Sequence, residues 1–283
     1  MNALPARKII TDPATMTDED ITRVAVLMPA YNPGDSINRA VESLVGNTYP
    51  CDIYIVDDGS DVPVAQILDD FPRTEIIRLH QNMGVAKARN VGLAAILKRP
   101  YEFVACLDAD DVSYPDRIAR QVEFLDSHPD IAAVGAWAKH VAKNDGRFLF
   151  IERTPESPGL VRQALNYNSA INHTTFMVRT DVLKVVGFYS ERYPTAEDYE
   201  LFRRITQRFP IANIPSVLVD RHLSWKGLSL TRRRRQLWDR LRIQLRYFTA
   251  LEASSGSGVL KTLLIFFIPV SLLMKIKEYK YPR

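Results

Sequence analysis

The chain has 283 residues, 46% of them hydrophobic and 25% charged, which excludes a globally disordered protein and is typical of one large domain with an appendage. The net charge of +4 is unevenly spread, because residues 221–283 carry 14 Lys and Arg against 3 Asp and Glu, whereas residues 1–220 carry 23 against 30. An acidic body therefore precedes a basic carboxyl-terminal region, which suits an anionic partner such as a diphosphate, a nucleic acid or a membrane surface.

The cysteines and the first residues bear on the cellular compartment. Cys51 and Cys106 each adjoin apolar, strand-like sequence, and neither belongs to a Cys-x-x-Cys or His-rich motif. The two thiols could pair in principle, but a reduced compartment is the better interpretation. Residues 1–22 contain no apolar run of signal-peptide length, so we expect a cytoplasmic protein.

Residues 23–107 alternate short β-branched runs with helical patterns, which is typical of successive β-α units that build a mainly parallel sheet. We predict strands at Val24–Pro29, Asp52–Val56, Glu75–Leu79 and Glu102–Leu107. We predict helices at Asp35–Val45, Val62–Asp70 and Val85–Lys98. The pattern therefore indicates an α/β fold in which helices flank a Rossmann-like sheet.

The pattern is looser after residue 115. We predict further strands at Ile131–Ala138, Phe148–Glu152 and His173–Arg179. We predict further helices at Pro115–Ser127, Asp181–Val186, Glu197–Gln207 and Thr231–Leu251. Ala253–Gly258 (ASSGSG) then predicts a flexible joint. Thr262–Met274 follows as 13 uncharged residues, which is shorter than the roughly 20 apolar residues of a spanning helix, so this segment is interfacial or buried.

Acidic residues follow two of the predicted strands, at the edge where ligands bind in parallel sheets. Asp108 and Asp110 are alternate residues after one strand, and in an extended segment both carboxylates face the same ligand. Oxygen ligands suit Mg²⁺ or Mn²⁺, so this pair predicts a metal site, with a solvated acidic turn as the alternative. Asp57 and Asp58 precede a glycine, and such a carboxylate can accept a pyrimidine N–H or hold a ribose hydroxyl, with an Asx-turn as the alternative.

Two further segments carry candidate residues at the start of helices. Lys87 and Arg89 lie in the first turns of the helix after Gly84, where they either balance the charge of a bound anion or are simply solvated. Glu197 and Asp198 open a later helix, where acidic residues complement the helix dipole. The second interpretation of these two carboxylates is a general base.

An ordered set of motifs resembles family-2 glycosyltransferases of the GT-A fold over roughly residues 23–225. The motifs are V-L-M-P-A-Y-N (26–32), V-D-D-G-S (56–60), G-V-A-K-A-R-N (84–90), L-D-A-D-D (107–111) and A-E-D-Y-E-L (196–201), with H-T-T-F-M-V-R (173–179) and G-F-Y-S-E (187–191) between the last two. The resemblance implies a GT-A sheet flanked by helices and an inverting transfer from a nucleotide-diphosphate sugar to an acceptor hydroxyl. An acidic residue in the base pocket favours a UDP or dTDP sugar.

The resemblance also implies a role for each matching residue. Asp198 is the implied catalytic base, with Glu197 as its nearest competitor. The implied donor-binding residues are Pro29, Tyr31, Asp57, Asp58, Lys87, Arg89 and Asp108. Asp110 is the implied ligand of Mg²⁺ or Mn²⁺, with Asp111 as the adjacent alternative. Arg221, His222 and the run 232–235 are candidates for a loop that covers the donor phosphates, although consecutive arginines also suit a solvated or membrane-facing patch.

We divide the chain into an amino-terminal extension (1–22), a catalytic domain (23–225), a basic amphipathic helix that covers the donor (226–252), and a flexible joint with an apolar interfacial helix (253–283). The last two predict peripheral association with the inner face of the plasma membrane and a lipid-linked saccharide acceptor for cell-surface polysaccharide synthesis. The alternatives are a helix packed on the domain or on a second subunit, an inert nucleotide-binding module of the same fold, and a nucleic-acid-binding module. We expect no nucleic-acid partner, because the aromatic residues of the basic region fall at the helical spacing typical of packing.

Overall fold

The structure is a computed structural model that describes residues 22–223, 233–250 and 253–268. The strands are β1 (Val24–Ala30), β2 (Asp52–Asp57), β3 (Thr74–Arg78), β4 (Phe103–Cys106), β5 (Val112–Ser113), β6 (Ala133–Ala142), β7 (Phe148–Glu152), β8 (Met177–Arg179) and β9 (Ile211–Leu223). The helices are α1 (Ser36–Val45), α2 (Val64–Ile67), α3 (Val85–Ile96), α4 (Arg117–Ser127), α5 (Pro158–Ala164), α6 (Thr180–Val186), α7 (Glu197–Ile205), α8 (Arg233–Arg246) and α9 (Ala253–Phe267).

All described strands form one nine-stranded mixed sheet in the order β3-β2-β1-β4-β8-β6-β9-β5, with β7 paired to β6. The first four strands in this order run parallel, and β1 lies between β2 and β4. The register aligns Ala30 with Asp57 and Leu27 with Cys106, so the carboxyl ends of β1, β2 and β4 meet at one edge. Strand β8 runs antiparallel to β4 and to β6, and this reversal joins the parallel half to the rest of the sheet.

Each face of the sheet carries its own apolar core. Strand β1 is buried along both faces, as its continuous apolar sequence V-A-V-L-M-P-A predicts for a central parallel strand. Helix α3 packs against one face, and Gly92 permits a close approach because a Cβ there would lie 2.3 Å from Cδ1 of Leu27. Helices α1 and α4 cover the other face. The site described below is therefore fixed to strands that are covered on both sides.

The parallel half matches the predicted elements closely, and the largest differences lie elsewhere. The predicted helix Val62–Asp70 is only the single turn Val64–Ile67. The predicted strand His173–Arg179 begins as a 3₁₀ turn and is extended only over Met177–Arg179. Strand β9 was not predicted, because Pro215 interrupts its strand pattern. Opposite Pro215, the register between β6 and β9 shifts on either side of Trp137.

The prediction of a flexible joint at 253–258 is wrong, because these residues form the first turns of helix α9. Their small side chains serve close packing instead: the Nδ2 atom of Asn166 donates to Ser254 Oγ at 2.8 Å, and a Cβ on Gly258 would lie 1.9 Å from the carbonyl oxygen of Asn166. In the described parts of the chain, no helix is long and apolar enough to cross a membrane. The predicted apolar segment continues to Met274, and residues 269–274 lie outside the described residues.

Candidate active site

The loops after β1 and β2 lie against each other at the carboxyl edge of the sheet. The backbone N–H of Asn32 donates to Ser60 Oγ at 2.9 Å, and the Asn32 amide exchanges hydrogen bonds with Asp61. Tyr31 is half exposed beside this contact, and Pro29 is partly buried at the end of β1. Pro29 and Tyr31, the implied nucleoside-binding residues, therefore lie at the carboxyl edge of the sheet beside this contact.

Asp57 is fully buried and organises the loop that follows it. Its Oδ1 accepts from the Ser60 N–H at 2.9 Å, its Oδ2 accepts from the Val64 N–H at 3.0 Å, and Arg78 pairs with Oδ2. Burial alone would raise the pKa of Asp57, but these donors stabilise the carboxylate more strongly and lower it. The Asx-turn alternative therefore describes Asp57 well, and its donor-binding role stays a prediction.

Asp58 ties the β2 loop to the start of helix α3. Its Oδ1 accepts from the Met83 N–H at 2.7 Å and its Oδ2 accepts from the Gly84 N–H at 2.9 Å. Lys87, one turn later, reaches Glu191 Oε1 at 3.5 Å, and both of these side chains are largely exposed. Asp58 therefore positions the amino-terminal turn of α3, while Lys87 faces solvent beside the loop that leads to helix α7.

Arg89 lies in the middle of a buried ion-pair network. Its Nη1 donates to Glu197 Oε1 at 2.6 Å, and its Nη2 donates to Asp108 Oδ1 at 3.2 Å. Burial raises the pKa of Asp108, but the charges of Arg89 and Arg221 outweigh this effect, and the pKa is lowered. Burial raises the pKa of Glu197 to about 7 despite the attraction of Arg89. Three residues far apart in sequence thus join the end of β4 and helix α3 to helix α7.

The extended geometry expected for Asp108 and Asp110 is wrong. Strand β4 ends at Cys106, and residues 108–111 form a tight turn in which the Asp111 N–H donates to the Asp108 carbonyl at 3.0 Å. The two carboxylates therefore bind different cations: Asp108 pairs with Arg89, whereas Asp110 Oδ2 accepts from Lys143 Nζ at 2.8 Å. The turn separates the two carboxylates that an extended strand would align.

Asp111 is the most deeply buried carboxylate of this turn. Its Oδ1 accepts from the His222 N–H at 2.9 Å, and its Oδ2 has no hydrogen-bond partner among the described residues. Burial raises the pKa of Asp111 to about 8, the charge of Asp108 adds to this effect, and Arg221 opposes it. A proton or a bound cation satisfies such an oxygen.

The described side chains fit a metal ion only if another molecule, such as a diphosphate, supplies further ligand atoms. Within residues 22–223, 233–250 and 253–268, no group of three or more His, Cys, Asp and Glu side chains could hold a metal by itself. Two neighbouring carboxylates offer oxygen atoms: Asp110 is partly exposed, and Oδ2 of Asp111 has no hydrogen-bond partner among the described residues. These hard oxygen atoms fit Mg²⁺ or Mn²⁺, which retain open positions for phosphate oxygens.

The two candidate bases on helix α7 have different surroundings. Glu197 is 6% exposed and engaged by Arg89, whereas Asp198 is partly exposed and its Oδ1 accepts only from the N–H of Tyr199, at 2.6 Å, among the hydrogen bonds of the described chain. A base must reach the proton that it removes, so access favours Asp198. The two neighbours thus differ in burial and in partners, and the assignment of the base to Asp198 stays a prediction.

Arg221 and His222 lie on strand β9, so their expected place in a covering loop is wrong. Arg221 lies opposite His140 in the β6–β9 register, and His222 binds Asp111 through its backbone N–H. The carboxylates of Asp111 and Asp108 raise the pKa of Arg221 against the effect of burial. Of the run 232–235, Arg232 lies outside the described residues, and Arg233 Nη2 donates to the Ile265 carbonyl of α9 at 2.7 Å.

Two residues of the cleft were not predicted as site residues. Lys143 reaches Asp110 from the turn after β6, and nothing in its local sequence marks it. His173 is buried, its Nε2 lies 2.9 Å from the Tyr189 hydroxyl, and its Nδ1 has no hydrogen-bond partner in the described part of the chain. Burial and the charge of Arg89 lower the pKa of His173 well below its usual value, so the ring is neutral. The H-T-T-F-M-V-R motif was the one sequence feature that pointed to it.

Comparisons with known proteins identify the family of the chain. A family model described as glycosyl transferase family 2 matches residues 25–187. The amylovoran biosynthesis glycosyltransferase AmsE of Erwinia amylovora is 27% identical over 269 residues, which cover 91% of this chain and 96% of that protein.

Solved structures show the same fold at lower sequence identity. The structure of S. aureus TarS 1-349 in complex with UDP-GlcNAc has a TM-score of 0.65 at 22% identity, over 85% of this chain and 71% of that chain. The mannosyltransferase PcManGT from Pyrobaculum calidifontis, in complex with GDP-Man and Mn²⁺, has a TM-score of 0.61 at 17% identity, over 86% and 69%. In the longer S. aureus TarS structure the match covers 43% of that chain. These similarities confirm the predicted α/β GT-A fold.

Proposed function

Since the chain belongs to glycosyltransferase family 2, we propose that it inverts the anomeric configuration as it moves a sugar from a nucleotide-diphosphate donor to an acceptor hydroxyl. The observation that carries the proposal is the buried network in which Arg89 joins Asp108, which follows β4, to Glu197, the neighbour of Asp198 on helix α7. Asp58 holds the start of the helix that carries Arg89, and Asp110 lies in the same turn as Asp108. Each matches a motif position of the family. An inert module would need no accessible carboxylate at Asp198.

The donor is a UDP or dTDP sugar in this proposal. Tyr31 offers a half-exposed ring beside the loops that Asp57 and Asp58 organise, and an acidic pocket suits the N–H of uracil or thymine. The UDP-GlcNAc complex of the structurally similar TarS supports a uridine nucleotide.

A divalent cation completes the donor site in the proposal. Asp110 would hold Mg²⁺ or Mn²⁺, with Asp111 beside it, and the ion supplies positive charge to the leaving diphosphate. The Mn²⁺ in the PcManGT complex supports this choice of ion. The protein residues bind and orient the donor, while Asp198 takes the proton of the attacking acceptor hydroxyl.

The acceptor in this proposal is a lipid-linked saccharide used in cell-surface polysaccharide synthesis. The name of AmsE, an amylovoran biosynthesis glycosyltransferase, supports a polysaccharide product. A membrane-borne acceptor requires the enzyme to act at the inner face of the plasma membrane. The apolar face of helix α9 carries exposed Leu260, Leu264 and Phe267 and supports peripheral binding there.

The proposal is tested by donor turnover with a panel of nucleotide sugars in Mn²⁺ or Mg²⁺, first for the wild type and then for two neighbouring variants. Asp198→Asn should lose about 10²–10⁴-fold in kcat with UDP affinity retained, since it removes only the base. Glu197→Gln should lose less, because this buried side chain pairs with Arg89. A wild type that hydrolyses or transfers no donor would contradict the proposed activity. A dead Glu197→Gln beside an active Asp198→Asn would reverse the two roles.

A further inference from the structure

The carboxylate implied as the metal ligand is already paired with a cation from the protein itself. Lys143 Nζ lies 2.8 Å from Asp110 Oδ2, and the side chains are 39% and 36% exposed. The two residues come from opposite halves of the sheet: Asp110 follows the parallel strand β4, while Lys143 begins the turn after β6. We propose that Lys143 is a displaceable counter-ion that competes with the divalent metal for Asp110, an inference that rests on the proposed metal role of Asp110.

The backbone of Lys143 is fixed while its ammonium group is free to leave. The Lys143 N–H donates to the Leu223 carbonyl at 3.0 Å, and the turn closes through the Gly146 N–H to Ala142 at 2.8 Å. The ammonium ends a flexible four-carbon stem at the protein surface, so it can swing into solvent without disturbing either strand. Among the described residues, the ammonium group makes one hydrogen bond, to Asp110.

The electrostatic balance of the cleft explains why a counter-ion belongs there. Asp108, Asp110 and Asp111 occupy one tight turn, and Arg89 and Arg221 face the first and last of them. Without Lys143, the carboxylate of Asp110 would lack a protein cation in hydrogen-bond contact among the described residues. An exposed ion pair contributes little free energy, so Lys143 neutralises Asp110 in the donor-free protein yet yields to a doubly charged ion that arrives with a diphosphate.

The strand also offers a matched control. Lys139 lies on β6, in the same region of the chain as Lys143. Its Nζ is 2.8 Å from Asp220 Oδ2, and the two side chains are 31% and 22% exposed. Lys139→Gln therefore removes the same charge close to Lys143 in sequence, at an ion pair of equal length that involves a different carboxylate. A general effect of net charge would appear in both variants, whereas competition for Asp110 appears only in Lys143→Gln.

The test is calorimetric UDP binding to the full chain over a series of free Mn²⁺ concentrations, with no turnover required. We expect Lys143→Gln to lower the Mn²⁺ concentration for half-maximal promotion of UDP binding by about two- to fivefold, the size of an exposed ion pair. Lys139→Gln should leave it unchanged. In an Asp110→Asn background, which weakens the Mn²⁺ effect, Lys143→Gln should add nothing.

The outcomes separate the inference from the proposed function. An unchanged Mn²⁺ requirement in Lys143→Gln, or an equal gain in Lys139→Gln, would overturn the counter-ion role while the metal role of Asp110 stands. Weaker UDP binding by Lys143→Gln at saturating Mn²⁺ would assign the lysine to the nucleotide and overturn it too. An Asp110→Asn variant with the wild-type Mn²⁺ response would contradict the metal site itself, and the inference with it.

Discussion

Arg89 and Glu197 form a buried ion pair in which Nη1 lies 2.6 Å from Oε1, and this contact joins helix α3 to the first turn of helix α7. The same guanidinium reaches Asp108 at 3.2 Å. Asp198, the proposed base, is the next residue after Glu197, so the position of Asp198 relative to Asp108 depends on this pair. In the proposed mechanism Glu197 is therefore a positioning residue.

Glu197→Ala should lower the free energy of unfolding by about 3–5 kcal/mol, because it leaves Arg89 buried with Asp108 as its one remaining carboxylate partner in the described network. Urea denaturation measures the loss. Lys184→Ala is the matched control, since it breaks the largely exposed pair with Asp181 and should cost less than about 1 kcal/mol. Equal losses in the free energy of unfolding would show that the buried pair stabilises the fold no more than the exposed pair.

Asp111→Asn should become more stable relative to the wild type as the pH rises. Burial raises the pKa of Asp111 from 3.8 to about 8, so the folded protein holds a proton that the unfolded chain releases. Wild-type stability from this group is therefore lost as the pH rises between about 4 and about 8. Asparagine stays neutral and keeps the oxygen that accepts from the His222 N–H.

Urea denaturation in metal-free buffer at about pH 5 and about pH 8 tests this window. Asp181→Asn is the control, because its side chain is 87% exposed and should show no such trend. Stability curves of Asp111→Asn and wild type that run parallel across this range would contradict the raised pKa.

The parallel half of the fold could be predicted because each strand there carries its own local pattern. Strands β1 and β2 are continuous apolar runs with helices between them, and both were placed to within a residue or two. Strand β9 was missed because its partner is set by tertiary contacts: it pairs with β6, which precedes it by some 70 residues, and Pro215 breaks its pattern.

The candidate site was predictable as a set of residues but not as a set of contacts. Motif order identified Asp108 and Asp110. Their contacts could not be predicted, because the turn that directs Asp108 to Arg89 and Asp110 to Lys143 depends on long-range packing. Lys143 belongs to no motif, so only the fold brings it to Asp110. The motif match assigned the base to Asp198 with Glu197 as its competitor, whereas the different burial of the two side chains could not be predicted from adjacent positions at a helix start.

Gly59→Ala should destabilise the loop after β2, which is proposed to bind the nucleotide. Gly59 has φ +71°, and a Cβ there would lie 2.3 Å from the backbone carbon of Gln81, next to the segment that Asp58 holds. Backbone strain alone costs on the order of 1–3 kcal/mol, and displacement of this segment should weaken UDP binding by about tenfold or more.

Calorimetry with UDP and a thermal melt measure both effects. Gly159→Ala, with no atom within 4 Å of the added Cβ and no positive φ, should change neither. If Gly59→Ala bound UDP as the wild type does, the loop would not belong to the nucleotide site.

Membrane association should depend on one face of helix α9. Leu260, Leu264 and Phe267 lie at i, i+4 and i+7 and are 58%, 58% and 86% exposed. The basic start of α8 lies beside the end of this face, because Arg233 binds the Ile265 carbonyl at 2.7 Å. Insertion of each apolar side chain contributes roughly 1.5–3 kcal/mol if it is fully buried. Nearby arginines add about 1 kcal/mol each at an anionic surface.

Substitution of these three residues by Gln should therefore weaken flotation with anionic vesicles by at least about 100-fold while the fold and donor turnover survive. Substitution tests the exposed face alone. A truncation after Ser257 would also remove Gly258 and Thr262, which are packed against the rest of the protein, and would unfold the region. Val45→Gln with Val185→Gln is the control, because these side chains are 42% and 54% exposed on helices α1 and α6. A triple variant that floats like the wild type would contradict membrane binding by α9. If the wild type never floats and the triple variant changes from dimer to monomer, α9 is a helix that packs on a second subunit.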